Sequence, residues 1–234
     1  MNGYERRSAD VDCGSLYETI RTRFIAIVRD LDPEAQDRSV EATPEWRVRD
    51  VLAHVAGLTE DLNAGNIRIS DPDAFTRAQV DRHRGSTLDD VIRAWDREAP
   101  TFEDGLRLFG YQVGNHFVGD LFIHFVDVCA STGQAVDRES EAMWVSLDWY
   151  LDSFEAAIDE VGLGALEVVT EPERRVIGHG DVLATVTAAP FEILRACAGR
   201  RSAAQVRAFA WTGDAERFLP HVSRYSFPAT DLKD

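Results

Sequence analysis

Apolar positions recur at helical spacing through the first two thirds of the chain. Leu16, Ile20, Phe24, Ile27 and Leu31 share one face and predict a first amphipathic helix. A second is predicted after Thr43-Pro44-Glu45-Trp46, with Val48, Val51, Leu52, Val55, Leu58 and Leu62 on one side. Between Asn66 and Arg84 the pattern dissolves into Asp, Pro and Arg, which reads as a long loop. Ser86 or Thr87, with Asp89 and Asp90 behind it, opens a third helix through an acidic first turn. Pro100 is expected to break or kink it, and Gly105, Gly110 and Gly114 to make the next stretch irregular. From about His116 to Thr132 the chain is apolar on nearly every side, as in a buried helix, and Gly133 supplies a C-terminal stop. A further helix from Glu139 to Val161 carries Trp144, Leu147, Leu151, Phe154 and Ile158 on one stripe. Such segments suit a helical bundle with variable loops.

After Gly162-Leu163-Gly164 the period changes. Leu166–Thr170 and Val182–Ala188 read as strands, Pro190 opens a short helix ending near Gly199, and Val206–Trp211 is strand-like again. The expected organisation is therefore α+β, with a helical bundle over 1–163 and a small α+β domain over 164–234. No internal repeat and no low-complexity tract interrupts it.

Composition narrows the partners. Among 234 residues, Asp+Glu number 41 against Lys+Arg 25, for a formal net charge of −16. That balance repels phosphate backbones and anionic lipid, which argues against nucleic-acid or membrane-surface binding. No apolar run is long enough to span a bilayer, and the polar start Met1–Arg7 is unlike a secretory signal, so a cytoplasmic location is expected. Cys13, Cys129 and Cys197 are scattered, form no C-x-x-C pair, and read as small buried hydrophobes rather than nucleophiles.

Charged side chains within the apolar helix stand out against this background. Asp120, His124 and Asp127 follow the i, i+4, i+7 pattern and share one stripe. Buried charges need a partner or a metal. Asp120 and His124 are one turn apart, with roughly 5–6 Å between Cβ atoms, close enough to share an ion. A third ligand must come from another helix, and His54, at the border of the second helix's apolar face beside Val51 and Leu58, is the best candidate. Two histidines and one carboxylate suit Zn²⁺ with an open position, and also Fe²⁺ or Ni²⁺. Asp127, a turn beyond His124, is read as accepting a hydrogen bond from an imidazole N–H, with a plain helix-packing role as the alternative. His116 is the rival ligand, and its place in the helix's first turn suggests exposure. His83, His179 and His221 read as surface histidines. In the tail, Arg200 and Arg201 of Ala198-Gly199-Arg200-Arg201-Ser202 read as surface residues compensating a helix C-terminus, or alternatively as a carboxylate clamp.

Three features together resemble the mycothiol-dependent maleylpyruvate isomerase family, within the DinB-like metal-binding bundles. They are Trp46-x-Val48-x-Asp50-Val51-Leu52-Ala53-His54, the Asp120/His124/Asp127 arrangement followed by Gly133, and the tail segment Ala198–Ser202. The resemblance implies an up-and-down four-helix bundle followed by a small α+β domain. It implies His54, Asp120 and His124 as ligands of a divalent metal, zinc first among them, Arg200 as a catalytic arginine, and mycothiol as thiol cosubstrate. The expected activity is that of a metal-dependent isomerase or thiol transferase acting on a small electrophilic substrate, in a monomer or homodimer. The characterised isomerase of that family carries Glu where this chain has Asp120, one methylene shorter. Two other readings stand beside it: a non-catalytic, metal-stabilised binding or regulatory module of the same fold, and a metal-free bundle holding a neutralised Asp120–His124 pair.

Overall fold

The computed structural model describes residues 11–66, 70–171 and 173–234. Met1–Arg7 and residues 67–69 of the expected loop lie outside them. The chain divides into two compact units, Asp10–Val136 and Asp137–Lys233.

The first unit is a four-helix bundle built from α1 (Cys13–Arg29), α3 (Val48–Asn63), α5 (Leu88–Phe109) and α6 (Tyr111–Thr132). Two short elements, α2 (Pro33–Gln36) and the antiparallel pair β1 (Ser39–Val40) and β2 (Thr43–Arg47), bring the chain from α1 to α3, and α4 (Pro72–Arg82) packs on α3. Helices α1, α3 and α5 begin where side chains supply what a helix start lacks, while α6 starts at Gly110 without a side-chain cap. Asp12 accepts the Ser15 amide at 2.9 Å, Asp50 accepts the Arg47 amide at 2.9 Å, and Thr87 exchanges hydrogen bonds with Asp90. At the other end of α6, Gly133 takes a left-handed conformation with φ 73°, where a side chain would be strained.

Helix α3 packs on α5, α5 on α1, α1 on α6, and α6 closes back on α3. The core between them holds Phe24, Leu52, Trp95, Leu121, Ile123 and Phe125, each 2% exposed or less. The Thr59 hydroxyl donates to the Val55 carbonyl (3.0 Å), so it accepts from Trp95 Nε1 and from the Tyr17 phenol, both at 3.2 Å.

Helix α5 runs through Pro100 without ending. A proline inside a helix costs about 3 kcal/mol, whereas fully burying one large apolar side chain contributes about 1.5–3 kcal/mol. Val91, Ile92, Trp95, Ala99, Phe102 and Leu106 form one buried stripe across the proline, and that stripe outweighs it. Gly105 stays helical and Gly110 (φ 72°) turns the chain into α6, which begins five residues before the expected start at His116.

Helix α4 replaces part of the expected loop. Asp71 accepts the Ala74 amide at 3.0 Å and Pro72 fills the first turn, so the helix has a proper start. Yet it buries only Gln79 and Val80, and for that reason shows no apolar period.

The second unit holds α7 (Glu141–Glu160), β3 (Ala165–Thr170), β4 (Glu173–Ile177), β5 (Val182–Thr187), α8 (Pro190–Cys197), α9 (Ala203–Arg207), β6 (Ala210–Gly213) and α10 (Ala215–Phe218), with a 3-10 turn over Leu219–His221. The sheet order is β4-β3-β5-β6. Strand β3 pairs antiparallel with β4 and parallel with β5, and β5 pairs antiparallel with β6. Where a boundary near residue 163 was expected, the units divide at Asp137, because the apolar stripe of α7 packs on α8 and β4. The strand expected over Val206–Trp211 is split: Ser202 caps the short helix α9, and the strand starts at Ala210. Among the described residues no helix is long and apolar enough to cross a membrane.

Candidate metal centre

Helices α3 and α6 carry the three expected donors to one place. His54, Asp120 and His124 each offer a ligand atom, and these atoms all lie within 4.8 Å of one another. His54 Nε2 faces Asp120 Oδ2 at 3.8 Å, and His124 Nε2 faces Asp120 Oδ1 at 3.8 Å. The imidazole rings meet edge to face with centroids 4.8 Å apart. Both are nearly buried, with side chains 8% and 10% exposed, while Asp120 at 27% forms the open side.

The spacing carries chemical information. A nitrogen hydrogen-bonded to a carboxylate would sit about 2.7–3.2 Å from it. At 3.8 Å neither ring is so bonded to Asp120. Around a tetrahedral cation, metal bonds of about 2.0–2.2 Å place donors about 3.3–3.6 Å apart, so atoms that lie within 4.8 Å of one another need draw in by at most about 1.5 Å to share one. The Asp120 carboxylate turns one oxygen toward each imidazole.

Local sequence explains why the donors converge. Asp120 and His124 are successive turns on α6, whose other faces are core. His54 sits mid-α3, flanked by the fully buried Leu52 and Val55. Trp46, at the end of β2, lays its indole against both rings, with centroids 5.1 Å from His54 and 5.9 Å from His124. On its far edge His54 Nδ1 meets Gln79 Oε1 from α4 at 2.8 Å. Neither the Trp46 contact nor Gln79 was read from the pattern. Gln79 lies in the stretch expected as loop, and only the carboxylates and arginine near it hinted at more.

Other expected residues fall as follows. Asp127, with its side chain fully buried, places Oδ2 3.9 Å from His124 Nδ1, on the expected edge of the ring but at ion-pair rather than hydrogen-bond range. His116 is exposed, stacked on Phe117 at 4.9 Å, and is not one of the three. His179 is a surface residue with its side chain 85% exposed. His83 is not: its side chain is 8% exposed and its Nε2 lies 3.3 Å from Glu60 Oε2, because α4 folds it back toward α3. All three cysteines are buried and unpaired in disulfides, and burial pushes the Cys129 and Cys197 thiols up to about 12. That suits packing and not nucleophilic attack.

Arg200 belongs to the second unit. It is buried rather than on the surface, donates to the Ala198 carbonyl at 2.7 Å at the end of α8, and lies 5.9 Å from the centre of the Tyr225 ring. Arg201 is buried too, and its guanidinium grips Glu192 through two hydrogen bonds of 2.6 and 2.9 Å. The surface reading of this pair is corrected by their burial; Arg200 still caps the end of α8 through the Ala198 carbonyl.

A four-helix bundle with two imidazoles and a carboxylate gathered from facing helices has a donor set suited to a divalent cation. Residues 17–112 match the family model described as "Mycothiol maleylpyruvate isomerase N-terminal domain". The match ends before Asp120 and His124. Two solved structures share the fold. One is a histidine-to-alanine mutant of the mycothiol-dependent maleylpyruvate isomerase, with a TM-score of 0.59 and 15% identity over 86% of this chain and 92% of that one. The other is the crystal structure of the mycothiol-dependent maleylpyruvate isomerase, with a TM-score of 0.56 and 15% identity over 81% and 88%. No protein of curated function is matched.

Proposed function

We propose that the chain is a metal-dependent enzyme that uses the thiol of mycothiol on a small electrophilic, conjugated-acid-like substrate, as an isomerase or a thiol transferase. The observation that carries this reading is the convergence of His54, Asp120 and His124 on a common centre. The domain matched over residues 17–112 and the shared fold support the thiol. Zinc suits the donor set best, with two neutral imidazoles, one carboxylate and a position left over.

In this reading His54, His124 and Asp120 would hold the cation, and the Asp120 carboxylate would neutralise part of its charge. A bound divalent cation supplies acidity, keeping a thiol ionised at neutral pH. Trp46 covers both imidazoles and keeps water from that side, leaving the Asp120 side for the thiol and its substrate to enter. The thiolate then adds to the substrate's conjugated double bond, forming a C–S bond as the π electrons move toward the carbonyl. Rotation about the new single bond and expulsion of the thiolate return the double bond in the trans form, with the thiol regenerated. Arg200 is assigned to a substrate carboxylate or to the developing enolate. In a transferase the C–S bond would be kept and a proton taken up instead.

Metal analysis tests this directly. Purified protein should hold near-stoichiometric zinc that disappears in His54→Ala and in His124→Ala, and turnover with mycothiol and electrophilic acids should fall with it. Unchanged metal in both variants would refute the site. An Arg200→Ala variant that retains zinc and full turnover would remove the arginine from the reaction.

A further inference from the structure

We infer that Gln79, on α4, is a positioning residue that fixes the tautomer of His54 and delivers to it the negative charge of a buried aspartate. Four side chains on two helices form one hydrogen-bonded chain. Arg82 Nη2 donates to Asp61 Oδ1 at 2.6 Å, Gln79 Nε2 donates to Asp61 Oδ2 at 3.1 Å, and Gln79 Oε1 meets His54 Nδ1 at 2.8 Å. Asp61 is 4% exposed and Gln79 fully buried.

The chemistry of these groups leaves a single arrangement of protons. A guanidinium only donates, so Asp61 faces it as a carboxylate that only accepts. The amide nitrogen of Gln79 must therefore face Asp61, and its oxygen must face the histidine. An amide oxygen only accepts, so Nδ1 carries the hydrogen. In the neutral imidazole that leaves Nε2 bare, and Nε2 is the atom turned toward Asp120. A lone pair and a carboxylate facing each other across 3.8 Å in a nearly buried site repel unless something positive lies between them.

Packing shows that the approach of α4 is built in. Gly57 lies one turn after His54 on α3, and a Cβ there would stand 2.8 Å from Gln79 Cβ and 3.2 Å from its Cα. Only a residue without a side chain lets α4 come this near.

The consequence for metal affinity rests on the metal reading above, while the tautomer does not. In zinc-free protein at alkaline pH, long-range ¹H–¹⁵N correlation should show His54 as the Nδ1–H form, and Gln79→Leu should shift it toward Nε2–H. Zinc binding, measured by competition with a chromogenic chelator, should weaken in Gln79→Leu by about 10–100-fold, the usual effect of losing a partner behind a ligand. A parent protein with His54 in the Nε2–H form overturns the inference, and needs no variant to do so. A tautomer that Gln79→Leu leaves unchanged overturns it equally. If the tautomer behaves as expected but zinc does not bind, the relay stands and the metal reading fails. If zinc binds through His54 with the opposite tautomer in the free protein, the metal reading stands and the relay fails.

Discussion

Helices α6 and α4 both serve His54 and its neighbours, yet they are built on opposite principles. Helix α6 buries residues on every face, so a carboxylate and an imidazole on it are conspicuous, because nothing apolar excuses them. Helix α4 buries only Gln79 and Val80, and the rest of it is solvated and charged. One brings the proposed ligands Asp120 and His124 to the centre; the other brings a hydrogen bond to His54, the third of them. The difference teaches that ligands reveal themselves against apolar sequence, whereas the residues that orient them hide among polar ones.

Four substitutions would break or sharpen this comparison, with zinc affinity as the common scale. The largest effect is expected from α6 itself: His124→Ala removes a donor and should reduce bound zinc to background by elemental analysis. In the chain behind α4, Asp61→Asn keeps an acceptor for Gln79 but removes the charge. Zinc affinity should drop less than in Gln79→Leu, and unfolding in urea should show a loss of about 1–3 kcal/mol. The cost is limited because Arg82 keeps Glu60 at 2.9 Å. Gly57→Ala should weaken zinc binding more gently, since helix propensity improves by about 1 kcal/mol while α4 is pushed away. Affinity equal to the parent's would mean that the close approach is irrelevant.

The smallest effect on zinc, none, is expected in the second unit. Burial pushes the Asp148 carboxyl up to about 7, against an ordinary value of 3.8, with Arg175 opposing the shift. The folded state therefore holds that proton more tightly than the unfolded one. Stability tied to Asp148 is present below about pH 4 and is lost as pH rises through about 7. Asp148→Asn should flatten that decline in pH-dependent thermal unfolding while leaving zinc affinity unchanged. A steeper decline would reverse the sign of the argument.

Much of the frame was legible in the sequence because burial leaves a period. The stripes of α1, α3 and α6, the stop at Gly133 and the alternation of β5 follow from which side chains must leave water. Legibility failed where burial was slight or its partner distant. Helix α4 has no stripe. Strand β4, Glu173–Ile177, opens on charged residues and was not expected, although Arg175 within it is buried beside Asp152 and Glu155. Helix α7 has a clear stripe, but a stripe does not say what it packs on, so the boundary was expected at 163 instead of Asp137. Pro100 was expected to break or kink α5, and the helix continues past it on the apolar face that spans it. At the site the pattern is the same. His54, Asp120 and His124 were legible by contrast with their surroundings, whereas Gln79 becomes visible only when α4 is folded against α3.

The most direct test is X-ray absorption at the zinc edge of the purified protein without added thiol. The account predicts a first shell of nitrogen and oxygen at about 2.0–2.2 Å, with the outer scattering of two imidazoles, reduced to one imidazole or lost in His54→Ala. A shell containing sulfur, or a spectrum that His54→Ala leaves unchanged, would contradict it.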